Sequence, residues 1–498
     1  MSGRHWLWVG ILVCYIAIAG APWHSEPSVR RAAALTAVAL VLWTSEVAPL
    51  GVVALAIPLL AGLSGVLSWN DALAAWGNPI VFLFLGAFLL ARALEKHRTF
   101  DGLLASAALR HAARNPIALS GAVLLLSGTL STIQNNTAVA ALLLPLVTPL
   151  ARGCGSPAAP LLALTYGATF GGLATPVGTA PNFMGYAQIK QLDPQMNFVA
   201  WLTFGVPAWL GTTAIGWAVL LPFSRAHSAP ANANVAPPPP HLSTHLALDD
   251  SPDSTTPFAR RAAIAAFALT ALVWLGSGVV LSATSPGDTI ATLAAALSAP
   301  AWMLKSLEPI ADVQVHAWIR AYLPEFLPPL AASLLLFFVR VRPAGPAVLQ
   351  RRDFLAIDWD TLFLIAGGLC LGAALDKSGA GRALADALGQ LDWPATATFF
   401  AVGAVTVLLS ELTSNTATAA LLIPLAASLG PATGIDPAQL VCLVALAASL
   451  GFALPISTPP NAIVYGTGLV PLRTMIAAGI VVDALSLLWI VLCVRYLY

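Results

Sequence analysis

The chain runs to 498 residues, of which 58% are hydrophobic and only 9% charged, with a net charge of +1. A soluble domain carries about 25% charged residues, so this composition excludes a water-covered globular chain and points to lipid as the main solvent. The near-neutral charge gives no basic footprint for nucleic acid, and the five scattered cysteines have no metal-ligand spacing.

Taken in chain order, the first apolar run covers 6–22. The chain beyond it is equally apolar, so it reads as a membrane helix and not as a cleaved leader. Runs long enough to cross a bilayer follow at 31–46, 49–67 and 78–95. The segment 116–150 is apolar but broken by Gln134-Asn135-Asn136-Thr137. A straight helix with that centre would expose polar groups to lipid, whereas a re-entrant hairpin buries its tip in protein. Spans at 160–188 and 199–223 close this half. Residues 224–258, with four consecutive prolines at 237–240 and three aspartates, read as a disordered connector. Spans at 262–282, 322–340 and 357–376 come next, then a second broken segment at 394–430, and finally 438–466 and 474–496.

The two halves repeat one another. Ser131-Thr-Ile-Gln-Asn-Asn136-Thr-Ala matches Ser410-Glu-Leu-Thr-Ser-Asn415-Thr-Ala at an offset of 279 residues. Pro181-Asn182 matches Pro460-Asn461, and Glu46 matches Glu325, in the same 279-residue register. Leu94-Glu95-Lys96 matches Leu375-Asp376-Lys377 two residues out of phase. Each unit has an odd number of full crossings, so consecutive copies are inverted relative to one another. The expected fold is an all-α polytopic membrane protein of two inverted-topology repeats. It has about eleven transmembrane helices, counting the extra one in residues 1–30, and two re-entrant hairpins.

Four irregular segments carry the chemistry: 131–137, 174–182, 410–416 and 457–461. In the first and third, Asn-Thr stands directly before a run of helix formers. The free N–H groups and positive dipole end of that helix start suit a carboxylate. The second and fourth, Ala174-Thr-Pro-Val-Gly-Thr-Ala-Pro-Asn182 and Ser457-Thr-Pro-Pro-Asn461, interrupt helices. Carbonyls freed by proline and glycine, with Ser, Thr and Asn oxygens, suit a hard monovalent cation such as sodium. Glu46, Glu325 and Glu411 are acids at membrane depth or at its edge and are candidates for proton relay. No P-loop, HExxH or nucleophile–base motif occurs in a fitting context.

These residues resemble the divalent anion/sodium symporters, which carry di- and tricarboxylates or sulfate. The likeness rests on Asn135-Asn136-Thr137, Ser414-Asn415-Thr416, Gly178-Thr179-Ala180-Pro181-Asn182, Ser457-Thr458-Pro459-Pro460-Asn461 and Trp43-Thr44-Ser45-Glu46 with Pro49. It covers the chain from about residue 30, the connector apart. The resemblance implies an elevator-type homodimer with no cofactor beyond sodium as coupling ion. It assigns Ser131, Asn135, Asn136 and Gly178 to one cation site and Ser410, Thr413, Asn415, Ser457 and Pro459 to a second. Substrate contacts fall to Asn136, Thr137, Ser414, Asn415, Thr416 and Thr458. Asn135 stands where the family has serine, and Thr413 where it has a smaller residue, which bears on ion number and substrate choice.

The expected organisation is a first repeat at 31–223, with scaffold helices 31–115 and a transport part 116–223. The second repeat covers 259–498, with scaffold 259–393 and transport part 394–498. The Lys and Arg distribution puts the N-terminus in the cytoplasm of a bacterial inner membrane and the C-terminus outside. The expected activity is sodium-coupled symport of a dicarboxylate such as succinate, malate or fumarate. Proton-coupled or exchange transport of carboxylate, tricarboxylate or sulfate is the alternative on the same fold. A channel or an intramembrane enzyme is the alternative of another class, and the scattered histidines offer an enzyme no convergent ligands.

Overall fold

The computed structural model describes residues 13, 15–45, 47–99, 111–112, 115–154, 156–225, 256–282, 319, 321–342, 345–389 and 393–498. Most of the expected first helix, Glu46 and nearly all of the connector lie outside the described residues. The described chain is almost wholly helical; its sole β feature is one bridge between Arg340 and Ala347.

The first half contains α1 (Pro27–Ser45), α2 (Leu50–Leu63), a short α3 (Trp69–Ala74) and α4 (Pro79–Lys96). It continues with α5 (Pro116–Ser131), α6 (Asn136–Gly153), α7 (Ala158–Gly171), α8 (Ala180–Leu192) and α9 (Phe198–Arg225). The second half contains α10 (Pro257–Ser282), α11 (Leu327–Leu335), α12 (Arg351–Leu355), α13 (Trp359–Ser378) and α14 (Ala380–Gly389). It ends with α15 (Ala395–Leu412), α16 (Asn415–Thr433), α17 (Pro437–Ala447), α18 (Pro459–Tyr465) and α19 (Leu472–Leu497).

Several starts follow one recipe, a polar cap followed by proline, whose missing N–H costs nothing at a helix start. The caps Asn78, Asn115 and Asp436 accept the N–H groups of Ile80, Ile117 and Ala438, each at 2.9 Å. Seven described helices, with α3 and α4 counted as one run, are long and apolar enough to cross a membrane. The shorter apolar ones include the first arm α5 and the half-helices α7 and α17, as a hairpin-and-broken-helix architecture requires. The span expected over 322–340 is no continuous helix: its first residue ends a preceding turn of helix, and the next helix covers Leu327–Leu335. Proline at 324, 328 and 329 confines its start, and it ends in turns leading to the Arg340–Ala347 bridge.

At the centre lie α7 and α17. Every residue of Ala158–Gly171 is buried, as are Leu440–Ala447. A helix apolar all round needs neighbours on all sides, and α7 lies against α5, α6 and α9. The contact with α5 is backbone-close: a Cβ on Gly171 would run into Gly128, so only glycine permits it.

The duplication reappears as crossed ion pairs. Lys96 at the end of α4 meets Asp353 at 2.6 Å, and Lys377 at the end of α13 meets Asp71 at 2.7 Å. Each acid sits in the first turn of its short helix, where Ser68 Oγ accepts the Asp71 N–H and Asp353 accepts the Gln350 N–H. Each half therefore supplies the acid for the other half's lysine. The Lys96–Asp353 pair is buried, while Lys377–Asp71 is exposed and screened by solvent, so it contributes little.

Candidate functional site

The two hairpin tips are built alike. In the first, α5 ends at Ser131, four residues turn, and α6 begins at Asn136, with Ser131 Oγ donating to Asn136 Oδ1 at 2.7 Å. In the second, α15 ends at Leu412 and α16 begins at Asn415, with Ser410 Oγ 2.8 Å from Asn415 Oδ1. Each serine closes the base of its tip and fixes the asparagine at the first helical position. There the unpaired N–H groups of the helix start face outward.

The broken helices are stapled by their asparagines. Past α7 the chain makes one 3-10 turn, Gly172–Ala174, before Thr179 caps α8. Asn182 Nδ2 donates to Gly172 O at 2.8 Å and Thr175 O at 2.9 Å. In the second half Asn461 Nδ2 donates to Gly451 O and Leu454 O, each at 3.0 Å, and Thr458 caps α18. Both asparagines are fully buried, so each satisfies carbonyls that the break in the helix would otherwise leave bare. The loops differ in backbone. Gly451 takes φ +147°, open to glycine alone, where its counterpart Gly172 is helical. Gly178 packs on that turn, and a Cβ there would lie 2.7 Å from the Gly172 Cα.

Hydrogen bonds draw the four segments together. Thr175 Oγ1 donates to Thr132 O at 2.6 Å, tying the first loop to the first tip. Ser410 Oγ also lies 2.7 Å from Ala448 O, and Asn415 Nδ2 donates to Ser449 O at 3.4 Å. Around the loops, contacts also cross between halves: Thr165 Oγ1 donates to Asn461 Oδ1 at 2.5 Å, and Thr179 Oγ1 lies 3.1 Å from Ser449 Oγ.

Between the tips lies one cavity of about 1060 Å³. Asn136, Thr137, Ser414, Asn415, Thr416 and Thr458, the residues read as substrate contacts, all line it. Of the residues read as cation ligands, Asn135, Asn136, Gly178, Thr413, Asn415, Ser457 and Pro459 line it too, while Ser131 and Ser410 stand fully buried behind the tips. Two side chains are already engaged. Asn135 Oδ1 accepts the Thr137 N–H at 2.8 Å, and Thr413 Oγ1 lies 2.9 Å from both Leu409 O and Thr418 Oγ1.

Two acids hold the second loop. Glu411 accepts from Ala453 N at 2.7 Å, Leu454 N at 3.2 Å and Ser457 Oγ at 2.5 Å. Asp483 on α19 accepts from Gly451 N at 3.0 Å and Phe452 N at 3.2 Å. Sequence reasoning weighed Glu411 only as a relay and passed over Asp483. A lone acid within a 26-residue apolar helix was the available signal. The cavity wall also includes Glu95, from the repeated Leu94-Glu95-Lys96, together with Arg92, Trp274 and Asp358, which no motif marks. Arg92 and Glu95 belong to the end of α4, on the face where α10 begins, because Arg260 Nη2 reaches Thr99 O at 2.9 Å.

Two inverted polar tips around one cavity within an apolar helical protein are the architecture of a transporter. The sequence profile described as "Citrate transporter" matches residues 40–441. The chain belongs to the citrate transporter family. The resemblance to the divalent anion/sodium symporters therefore holds, and this member of the family is an integral membrane secondary transporter. An uncharacterized transporter of Haemophilus influenzae is 29% identical over 473 residues, covering 92% of this chain and 89% of that protein. The sodium-dependent dicarboxylate transporter SdcS of Staphylococcus saprophyticus is 28% identical over 484 residues, 91% of this chain and 83% of its own length. Among solved structures, MtrF of Neisseria gonorrhoeae, described within a class of antimetabolite efflux pumps, aligns with a TM-score of 0.52. That alignment covers 88% of this chain and 84% of MtrF at 14% identity, a likeness of fold alone.

Proposed function

We propose that this chain is a sodium-coupled symporter of dicarboxylates of the succinate, malate and fumarate class, working by an elevator movement. The observation that carries this reading is the pair of tips facing one cavity, each offering Asn, Thr and a helix start to one end of a dianion. Sodium fits the donor set: the Asn136 and Asn415 amide oxygens, the Ser131, Ser410 and Ser457 hydroxyls and the loop carbonyls are neutral oxygens beside the anion. A cation there offsets the repulsion between two carboxylates. The naming of SdcS as sodium-dependent agrees with this. In proteoliposomes, an imposed sodium gradient should drive succinate uptake, and choline in place of sodium should stop it. Uptake that persists in choline and follows a pH gradient would replace sodium by proton coupling.

In the elevator reading, residues 116–223 and 394–498 move past the scaffold formed by 31–115 and 259–393, in a homodimer of the bacterial inner membrane with the N-terminus cytoplasmic. Among the described residues, an ion pair spans the two parts. Glu325 accepts from Lys190 Nζ at 2.9 Å and Tyr186 OH at 2.6 Å, while Trp274 Nε1 donates to the Glu325 carbonyl at 2.8 Å. The 279-residue register puts Tyr465 opposite Tyr186 but Leu469 opposite Lys190, so only one of the two end states has the ion pair. Glu325→Gln should therefore depopulate the observed state by about 1 kcal/mol, roughly fivefold. Ile456 is 76% exposed and lines the cavity. A cysteine placed there, with the five native ones removed, should label more slowly from the α10 face in the Glu325→Gln background. An unchanged rate would count against the pair as a state-selecting contact.

A further inference from the structure

The internal repeat supplies its own comparison for the substrate site, because Asn135 and Ser414 stand 279 residues apart and each is the residue before its helix. Their backbones agree, with φ/ψ of −60/134° at Asn135 and −69/136° at Ser414. Their side chains do not. Asn135 Oδ1 accepts the Thr137 N–H at 2.8 Å, whereas Ser414 makes no side-chain cap bond. The next two residues are Asn-Thr in both tips, and the serine behind each meets that asparagine's Oδ1. At the cap position itself the tips therefore differ, Asn135 against Ser414. At the first, the N–H that would meet an anion is already taken, and a carboxamide with two remaining N–H donors stands in the cavity. At the second, the Thr416 N–H is left for the ligand.

We propose that Asn135 determines substrate size and orientation, so that the cavity takes short dicarboxylates and disfavours branched tricarboxylates. This rests on the dicarboxylate reading above. One carboxylate sits against the uncapped start of α16, where backbone N–H groups and the helix dipole act together. The other meets Asn135 Nδ2. The carboxamide projects further than a serine hydroxyl and narrows the gap between the tips. A tricarboxylate would bring a further charge to a tip whose backbone donor is occupied, in a low-dielectric space where an unmatched charge is costly.

The test is thermal unfolding of the purified full chain in sodium, titrated with succinate and with citrate, for wild type and three variants. Wild type should bind succinate more tightly than citrate. Asn135→Ser keeps a good cap residue but opens the gap. It should raise citrate affinity relative to succinate roughly tenfold, the value of one hydrogen bond to a charged group. Asn135→Asp caps equally well but replaces the donors with a negative charge, so it should weaken succinate more than tenfold with the unliganded melting temperature unchanged. Ser414→Asn copies the first tip onto the second and should weaken both acids. An unchanged succinate-to-citrate ratio in Asn135→Ser, with both acids still bound, overturns the assignment of Asn135. A wild-type protein stabilised by neither acid overturns the dicarboxylate reading itself and this inference with it.

Discussion

Asn415→Ala is expected to abolish sodium-dependent stabilisation by dicarboxylate while leaving the fold intact. Asn415 is the first residue of α16, and its side chain joins two partners at the second tip. Its Oδ1 lies 2.8 Å from Ser410 Oγ, its Nδ2 reaches Ser449 O at 3.4 Å, and the residue lines the cavity. Truncation removes a proposed cation ligand and a substrate donor together. The damage to the fold is small, because Ser410 Oγ keeps Ala448 O at 2.7 Å and the longer Nδ2 bond is weak. At a ligand concentration a hundred times Kd, binding stabilises wild type by about 2.7 kcal/mol; a hundredfold loss of affinity leaves roughly 0.4 kcal/mol. The readout is thus near all or none. Asn136→Ala is the matching change at the first tip, and its weaker effect would follow if the self-capped tip contributes less to anion binding. Retention of the full succinate shift in Asn415→Ala would remove the second tip from the site.

Much of this site was legible because the duplication marks it. Ser131 with Asn136, Ser410 with Asn415, and the Thr-x-x-Asn pairs at 179–182 and 458–461 recur in one register, and a polar residue kept twice inside an apolar segment has a partner to meet. Cap chemistry also brought the helix starts close to their places, since it depends on neighbours one to three residues away, but the Asn-Thr pairs read as caps are the first two helical residues, and Asn135 and Ser414 stand before them. What escaped was the pairing of distant groups. Thr165 finds Asn461 across 296 residues, and Asp483 finds the N–H groups of Gly451 and Phe452 from another helix. Neither follows from periodicity, which specifies faces and not partners. The shortness of α11 has the same origin, since an apolar run reveals hydropathy but not where clustered prolines end a helix. Asn135 is the instructive case. Its departure from the family's serine was visible, but whether its oxygen faced a cation or the backbone was decided by local geometry, and it faces Thr137 N–H.

Glu411→Ala should be the most destabilising single change at the site, and its effect should be confined to the second half. The Glu411 carboxylate receives two consecutive backbone N–H groups, Ala453 and Leu454, together with the Ser457 hydroxyl. Ala453 and Ser457 are buried, so water cannot take over from the lost carboxylate. Leaving these donors bare costs about 2–4 kcal/mol, and the loop that presents Ser457 and Thr458 to the cavity loses its anchor on the hairpin. Asp483 still holds Gly451 and Phe452, so the loop should loosen at residues 453–457 and not detach. The first half has Thr132 at the equivalent position, and its loop depends instead on the Thr175 Oγ1 bond to Thr132 O and on the 3-10 turn. Glu411→Gln keeps one acceptor oxygen but turns an N–H₂ toward a donor, so it should fall between wild type and alanine. The measurement is the melting temperature of the unliganded protein, followed by the steepness of its sodium response. The expected order is wild type, then Gln, then Ala, with the sodium response flattened in both variants. If Glu411 were only a proton carrier, Gln and Ala would melt alike and close to wild type, and the carboxylate would not be what holds the loop.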